Sequence, residues 1–296
     1  MKIAACLALV AAAALPSLAA ADSAYVKDVQ AWRARADAGL RKDNGWLTLA
    51  GRYVLKQGAN TFGTGKDNDV VFPAGLGPAR MGTITVEPGR VFVKLAPGVT
   101  MEKDGIPMTD KVMDTGGEVR DWVSMGRAAF HVIEHNGTYI LRLADNQSEN
   151  RKRFEGRTWF PVNEGLRVPA RFVAYEPQKH IPIVNVIDEV SDEPSPGYVE
   201  FRLHGKAYRL DALGDDGGLF FVFRDRTAGD TTYGAGRFLY VPAKPKSGGE
   251  VVLDFNRAYN PPCAFNKFTT CPLPPKENIL PVAIEAGEKY PPKRRG

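Results

Sequence analysis

The first pattern after the chain's opening apolar segment has a period of three to four residues. Apolar positions recur between Asp22 and Lys42, while the arginines and lysines of this segment lie elsewhere. The apolar face contains Tyr25, Val29, Trp32, Ala36 and Leu40. This periodicity predicts an amphipathic helix within residues 22–44. We expect the helix to pack on the body of the protein, with binding to a membrane surface as the alternative.

From residue 45 onward the pattern changes to alternation with a period of two. Short β-type segments such as "TITVEP", "RVFVKL" and "TYILRLAD" alternate with glycine, proline and aspartate turns. Regular turns between short strands are typical of β-sandwiches and barrels. The sequence predicts a mainly β fold with a sandwich over residues 45–145. A barrel-like or strongly curved β domain follows over residues 146–296, with a clear hairpin at "FRLHGKAYRL".

Residues 1–21 have the features of a secretory signal peptide. Lys2 precedes a short apolar run, and Ala19, Ala20 and Ala21 form a small-residue cleavage pattern before Asp22. No later segment is apolar for long enough to span a membrane as a helix. We therefore expect a periplasmic or secreted protein without stable membrane insertion.

Composition and charge narrow the range of partners. The net side-chain charge is +5, or +4 without Lys2, and three of the positive charges belong to Lys293, Arg294 and Arg295. This mild excess in an exported chain argues against nucleic acid as a partner. The sequence has no nucleotide-binding loop, serine-hydrolase elbow or zinc-protease motif, so no cofactor and no metal are expected.

Cys263 and Cys271 lie in a proline-rich loop, "DFNRAYNPPCAFNKFTTCPLPP". In an oxidising compartment, two cysteines eight positions apart favour a disulfide bond. A metal site is the weaker alternative, because no histidine is close to them in the sequence.

Polar and aromatic residues concentrate between positions 219 and 260. The runs "LFFVF", "RFLYVP" and "EVVLDF" read as an up-down-up meander, which would bring two strand ends and one strand start to a common edge. We expect the polar and aromatic residues of this segment to converge at that edge. The candidate site residues are Arg224, Asp225, Tyr233, Arg237, Asp254, Asn256, Tyr259 and Asn260, and Arg257 lies among them.

Three functions remain open for this edge. Arginines, tyrosines and asparagines can bind a small polar or anionic ligand, such as a glycan fragment of the cell envelope. Asp225 and Asp254 can instead act as the paired carboxylates of a hydrolase. In the third interpretation the arginine–aspartate pairs only hold loops in place, and the protein is a structural component of the envelope.

Residues 45–145 resemble a forkhead-associated domain. The resemblance lies in "GANTFGTGKDNDVVFP", "EKDGIPMTD" and "GEVRDWVSMGRAAFHVIE". The family's Gly-Arg element is replaced by Gly63-Thr64, and its Asn-Gly turn by Asp104-Gly105. The resemblance implies a sandwich fold, and these departures argue against recognition of phosphothreonine.

Nearly the whole chain after the predicted signal peptide also resembles a bacterial family classed as a domain of unknown function, DUF1684. The matching segments include "LADNQSENRKRFEG", "FRDRTAGDTTYGAGRFL" and "DFNRAYNPPCAFNKFTTCPLPPKENILPVAIEAGEK". "GWLTLAG" and "GANTFGTG" extend the resemblance to the N-terminal side. This family implies no reaction, substrate or catalytic residues.

Overall fold

A computed structural model describes residues 23–116, 120–135, 137–214 and 217–290. The predicted signal peptide, the start of the mature chain at Asp22 and the basic tail lie outside these ranges. The described part is mainly β, as the alternating pattern predicts, with one substantial helix near its start.

That helix, α1, spans Ala24–Leu40. It begins where the Ser23 hydroxyl accepts a hydrogen bond from the Val26 backbone N–H at 3.2 Å, which satisfies one of the free amides of the first turn. Val29 and Leu40 are buried, whereas Tyr25 and Trp32 are only half-buried. The predicted apolar face therefore packs on the protein only in part, and the remainder is available to a neighbouring cleft.

Eleven strands form the described part of the N-terminal half. They are β1 (Leu49–Val54), β2 (Gly58–Gly63), β3 (Val70–Val71), β4 (Gly82–Glu87), β5 (Arg90–Leu95), β6 (Met101–Lys103), β7 (Ile106–Met108), β8 (Asp110–Met113), β9 (Val123–Met125), β10 (Ala128–His135) and β11 (Thr138–Asp145).

These strands make two sheets, ordered β1-β11-β10-β9-β6-β7 and β3-β2-β4-β5-β8. One hydrophobic cluster lies between the sheets. On the side of the second sheet, the ring centroids of Phe62 and Phe72 lie 5.5 and 6.2 Å, respectively, from that of Phe130 in the first sheet. Buried residues from both sheets in one core define a β-sandwich.

The short helix α2 (Glu149–Lys152) leads into the C-terminal half. Its strands are β12 (Arg167–Val184), β13 (Val190–Leu203), β14 (Lys206–Asp211), β15 (Leu219–Phe223), β16 (Arg237–Val241) and β17 (Glu250–Asp254). A four-stranded sheet has the order β14-β13-β12-β17, and β15 pairs with β16. Both sheets contribute to a second hydrophobic cluster, so they curve around a core separate from that of the sandwich.

The predicted hairpin between β13 and β14 is confirmed. His204 and Gly205 both have positive φ, at 49° and 76°. Two central residues with positive φ form the tight turn that matches the twist of paired strands.

The predicted three-stranded meander is wrong in its last strand. β15 and β16 pair antiparallel, with Phe223 opposite Arg237. β17 instead pairs with β12, placing Asp254 opposite Arg167. The connection before β17 is already bonded to β12, because Gly248 donates its N–H to the Phe172 carbonyl at 2.7 Å and Gly249 accepts from the Phe172 N–H at 2.9 Å. The third strand therefore extends the edge of the larger sheet.

Candidate functional site

The predicted edge contains a buried ion pair between Arg237 and Asp225. Nη2 of Arg237 lies 2.6 Å from Oδ2 of Asp225, and both side chains are about 1% exposed. The guanidinium also donates to the carbonyls of Ala286 and Ile284, at 3.0 Å in the second case. Burial lowers the pKa of Arg237, and the charge of Asp225 opposes that shift.

The second oxygen of Asp225 is occupied as well. Oδ1 accepts hydrogen bonds from the N–H of Thr227 at 2.7 Å and from its hydroxyl at 2.5 Å. Gly236, with φ of +106°, precedes the arginine, and a Cβ there would lie 2.6 Å from the Phe223 carbonyl oxygen. The close approach needs glycine, which brings Arg237 into register with β15. The pair is enclosed, and this geometry favours a structural role for both residues.

Other members of the predicted set point away from a shared site. Arg224, next to the ion pair in sequence, is exposed. The Tyr233 hydroxyl donates to the Cys263 carbonyl at 3.2 Å, and burial raises the pKa of this tyrosine. The Asn260 N–H donates to Glu288 at 2.7 Å, and its side-chain amide donates to the Lys289 carbonyl at 3.0 Å.

Asp254, Asn256 and Tyr259 lie together on the side of the domain that faces α1. The Tyr25 hydroxyl donates to Oδ1 of Asp254 at 2.7 Å. Asn256 is fully buried, and its amide donates to the Tyr25 hydroxyl at 2.9 Å and to the Asn163 carbonyl at 2.8 Å. Burial and the Asp254 carboxylate raise the pKa of Tyr25. Asn256 therefore fastens the helix to the end of β17.

Beside this contact lies a cleft of about 660 Å³, which we call the α1 cleft. One wall is α1, and the opposite wall is formed by the ends of β16 and β17. Its lining includes Tyr25, Asp28, Trp32, Ala36, Arg157, Arg167, Tyr240, Val252, Asp254, Arg257 and Tyr259. Two of the predicted site residues, Asp254 and Tyr259, thus face one cavity together with Arg257.

Aromatic rings give the α1 cleft a large apolar surface. The Trp32 ring lies 5.6 Å from that of Trp159 and 6.3 Å from that of Tyr259, with edge-to-face geometry in both pairs. Tyr240 is about half exposed at the opposite wall. Rings with polar tips provide flat contact surfaces for ligands that also need hydrogen bonds.

Three arginines line the same cleft, and they differ in how they are paired. Arg257 contacts both Asp28 and Asp254, the latter at 3.1 Å. Arg157 pairs with Glu288 at 2.6 Å, although its buried Nε has no hydrogen-bond partner among the described residues. Arg167 makes no ion pair within the described ranges, and its guanidinium carbon lies 5.4 Å from the centre of the Tyr25 ring. The cleft therefore has one arginine charge without a carboxylate.

Sequence reasoning missed the helix wall, Arg157 and Arg167. The signal that was present is the face of α1, where Tyr25 and Trp32 are larger and more polar at their tips than a packing face needs. Arg157 and Arg167 follow no motif. Arg167 reaches the cleft because β12 pairs with β17, and Arg157 is held there by its ion pair with Glu288.

Cys263 and Cys271 lie next to each other as free cysteines, and the Cys263 N–H donates to Sγ of Cys271 at 3.1 Å. The hydrogen bond between the two thiols lowers the pKa of Cys263 and raises that of Cys271. The disulfide between them stays a prediction.

The described residues contain neither a metal-binding cluster nor a membrane-spanning helix. No group of three or more histidine, cysteine, aspartate or glutamate side chains in these ranges is arranged to hold a metal ion. None of the helices in the same ranges is long and apolar enough to cross a membrane.

The fold and the cleft define a mainly β protein with a sandwich, a curved C-terminal sheet and a helix-bounded cavity. Residues 152–289 match the family model described as "Protein of unknown function (DUF1684)". This match covers just under half of the chain and supports the resemblance in its C-terminal half. No curated protein matches the sequence.

One similar solved structure is the solution NMR structure of an uncharacterized protein from gene locus rrnAC0354 of Haloarcula marismortui. It is 32% identical, and the match covers 47% of this chain and 78% of that chain, with a TM-score of 0.41.

Proposed function

We propose that the protein binds a small anionic ligand with a flat apolar face, such as an acidic sugar of the cell envelope, in the α1 cleft. The observation that carries the proposal is the combination of Tyr25 and Trp32 with Arg167, whose guanidinium has no carboxylate among the described residues. A cleft with mainly apolar walls and a few converging polar groups is the usual form of a small-molecule site.

The charge at Arg167 favours an acid over a neutral ligand. Arginine binds carboxylates through two parallel hydrogen bonds. The two carboxylates that line the cleft, Asp28 and Asp254, both form ion pairs with Arg257. A ligand carboxylate would therefore pair with the one cleft guanidinium that has no carboxylate among the described residues, while the rings contact the sugar face.

Hydrolysis by Asp225 and Asp254 is less well supported. A pair of catalytic carboxylates must flank the reacting bond. Asp254 lines the α1 cleft, but Asp225 is enclosed by Arg237 and Thr227. The purely structural role remains the alternative to binding, and it predicts no saturable ligand.

The experiment compares glucuronic acid with glucose, which differ in the carboxylate. We expect tryptophan fluorescence and calorimetry to show saturable binding of the acid, with a Kd of about 1 mM or tighter, and much weaker binding of glucose. Arg167→Ala should lose this preference. The matched control is Arg171→Ala, an exposed arginine four residues along the same strand that does not line the cleft. Equal binding of both sugars, or an acid preference kept in Arg167→Ala, contradicts the proposal.

We also propose that the protein acts after export, in the periplasm or outside the cell. The support is the signal-peptide pattern of residues 1–21. Mass spectrometry of the exported protein should give an N-terminus near Asp22, and an intact Met1 would contradict export by this route.

For the sandwich we infer no recognition of phosphothreonine at the loops that resemble the forkhead-associated domain. Thr64 occupies the position of the family's arginine, and its hydroxyl donates to the Gly77 carbonyl at 3.1 Å. Titration with a phosphothreonine peptide should leave the backbone NMR signals of Gly63 and Thr64 unchanged.

A further inference from the structure

A second cavity lies where the sandwich meets the C-terminal half, and it contains a buried arginine without a carboxylate partner. This cavity, of about 360 Å³, is lined by Arg120 and Arg142 from the sandwich and by Asn185, Glu189 and Thr270 from the other half. We call it the Arg142 cavity. It shares no lining residue with the α1 cleft.

Arg142 is only 8% exposed. Its Nη2 donates to the Thr270 hydroxyl at 3.1 Å, and its guanidinium carbon lies 5.7 Å from the centre of the Trp46 ring. Its Nε is buried and has no hydrogen-bond partner in the described part of the chain. No carboxylate of the described residues lies within ion-pair distance of this guanidinium. A buried charge of this kind is strongly destabilising unless an opposite charge approaches it.

The surroundings of Arg142 add positive charge. Burial lowers the pKa of Arg142, and the nearby Arg120 and Arg52 lower it further. Glu189 on the cavity wall is already engaged by Arg52 at 3.4 Å and by the Asn185 amide at 3.0 Å. Glu134 and Glu193 also line the cavity, so its charge is mixed, but neither carboxylate forms an ion pair with Arg142.

His131 is the titratable neighbour of Arg142 on the adjacent strand. It lies opposite Arg142 on β10, and its ring centroid is 4.3 Å from that of Trp122. Burial lowers the pKa of His131 to about 3, and Arg142 and Arg120 contribute to the shift. The imidazole is therefore neutral at pH 7, so it adds no further positive charge beside Arg142.

We propose that the Arg142 cavity binds a small tetrahedral oxoanion, a phosphate or sulfate group, between the sandwich and the C-terminal half. Arginine offers planar donors that suit such an oxoanion. Thr270 precedes Cys271 in the proline-rich loop, so the loop supplies the residue that orients the guanidinium.

The test uses thermal unfolding of the full chain at constant ionic strength, with sodium chloride replaced stepwise by sodium phosphate or sodium sulfate. We expect a saturable rise in Tm for the wild type. Arg142→Met should lose the rise, with affinity for the anion reduced by ~10- to 100-fold. Without added oxoanion, this variant should be at least as stable as the wild type, because the unpaired buried charge is gone.

Arg90→Met is the matched control, since Arg90 is an exposed arginine on the sandwich that does not line the Arg142 cavity. It should keep the full saturable effect. Both anions also stabilise proteins generally by exclusion from their surface. An equal, non-saturating rise in the wild type and Arg142→Met therefore overturns the proposal.

If Arg142→Met does not fold, the wild type itself provides the readout. Titration with phosphate should shift the Nε–H NMR signal of Arg142, and Arg120→Met should weaken the shift. An unmoved Arg142 signal at saturating phosphate refutes the site. Glucose 6-phosphate distinguishes the source of the anion, because competition with inorganic phosphate indicates that a phosphoryl group on a larger molecule fits, whereas no competition restricts the site to the free ion.

Discussion

Tyr25 and Asp254 are joined by a hydrogen bond of 2.7 Å between the tyrosine hydroxyl and Oδ1 of the aspartate. The tyrosine lies on α1, and the aspartate ends β17. This contact sets the position of the helix against the C-terminal sheet, and with it the width of the α1 cleft.

Tyr25→Phe should lower the free energy of unfolding. The variant keeps the ring but loses the hydroxyl that donates to Asp254 and accepts from Asn256. Hydrogen bonds to charged groups contribute about 1.5–3 kcal/mol, so we expect a loss in that range by urea denaturation. Tyr240→Phe is the control, because Tyr240 lines the same cleft and is about half exposed. Its effect should stay within about 0.5 kcal/mol. Equal effects in both variants would show that the bond is not stabilising.

Arg237→Ala should be severely destabilising. Removal of the guanidinium leaves the carboxylate of Asp225 buried without its ion partner, which costs about 3–5 kcal/mol. Arg224→Ala provides the comparison, since Arg224 is exposed and close in sequence. Its unfolding free energy should change by about 0.5 kcal/mol or less.

The same pair of variants separates a structural role from a ligand-binding role for Arg237. A variant that folds with wild-type stability and loses ligand would support the original assignment of Arg237 to the site. Asp225→Asn keeps the shape of the side chain but removes its charge. This variant should also have a lower free energy of unfolding than the wild type if the ion pair is structural.

Cys263 and Cys271 should form a disulfide in the exported protein. The loop between them is short and rich in proline, so the gain in unfolding free energy should be modest, on the order of 2 kcal/mol. Alkylation of the denatured, unreduced protein followed by mass spectrometry should find neither thiol labelled. Two labelled thiols would contradict the bond, and stoichiometric zinc would favour a metal site instead.

Stability should fall in acid because of His131. Its folded-state pKa of about 3 lies below the usual value of 6.5. Between these values the unfolded chain binds a proton that the folded chain does not. Its contribution is therefore fully present above pH 6.5 and is lost as the pH falls toward 3.

His131→Gln should reduce the slope of unfolding free energy against pH in this window, by at most about 1.4 kcal/mol per pH unit. His135→Gln on the same strand is the control, because His135 is exposed. Urea titrations at several pH values measure both slopes. Parallel profiles for wild type and His131→Gln would show that another group controls the acid transition.

Local patterns in the sequence predicted the helices and strands themselves more accurately than they predicted which strands pair. The helix and the His204–Gly205 hairpin follow from short-range periodicity and turn chemistry, and both are present. The partner of β17 depends on which sheet edge is open when the chain returns. Alternation along Glu250–Asp254 is the same whether the strand pairs with β12 or with β16.

The predicted site residues do not form one site, because their positions also depend on contacts between distant parts of the chain. Asp254 and Tyr259 face the α1 cleft, whereas Arg237 and Asp225 are buried on each other. The sequence does not distinguish a buried arginine–aspartate pair from one that lines a cleft. The burial of Arg237 depends on the close approach of Gly236 to β15 and on the hydrogen bond to the Ile284 carbonyl. No local pattern in α1 indicates that it contacts Asp254, which lies more than 200 positions away from Tyr25 in the sequence.

The separation of Tyr25 from Asp254 also bears on folding. They are 229 positions apart, and contacts between distant residues form slowly because the intervening chain must first be ordered. The sandwich core draws on residues between Leu55 and Leu143, so it requires neither partner. A chain cut before β17 could therefore retain a folded sandwich and still have no α1 cleft, which makes ligand binding a report on whether the whole chain has been assembled.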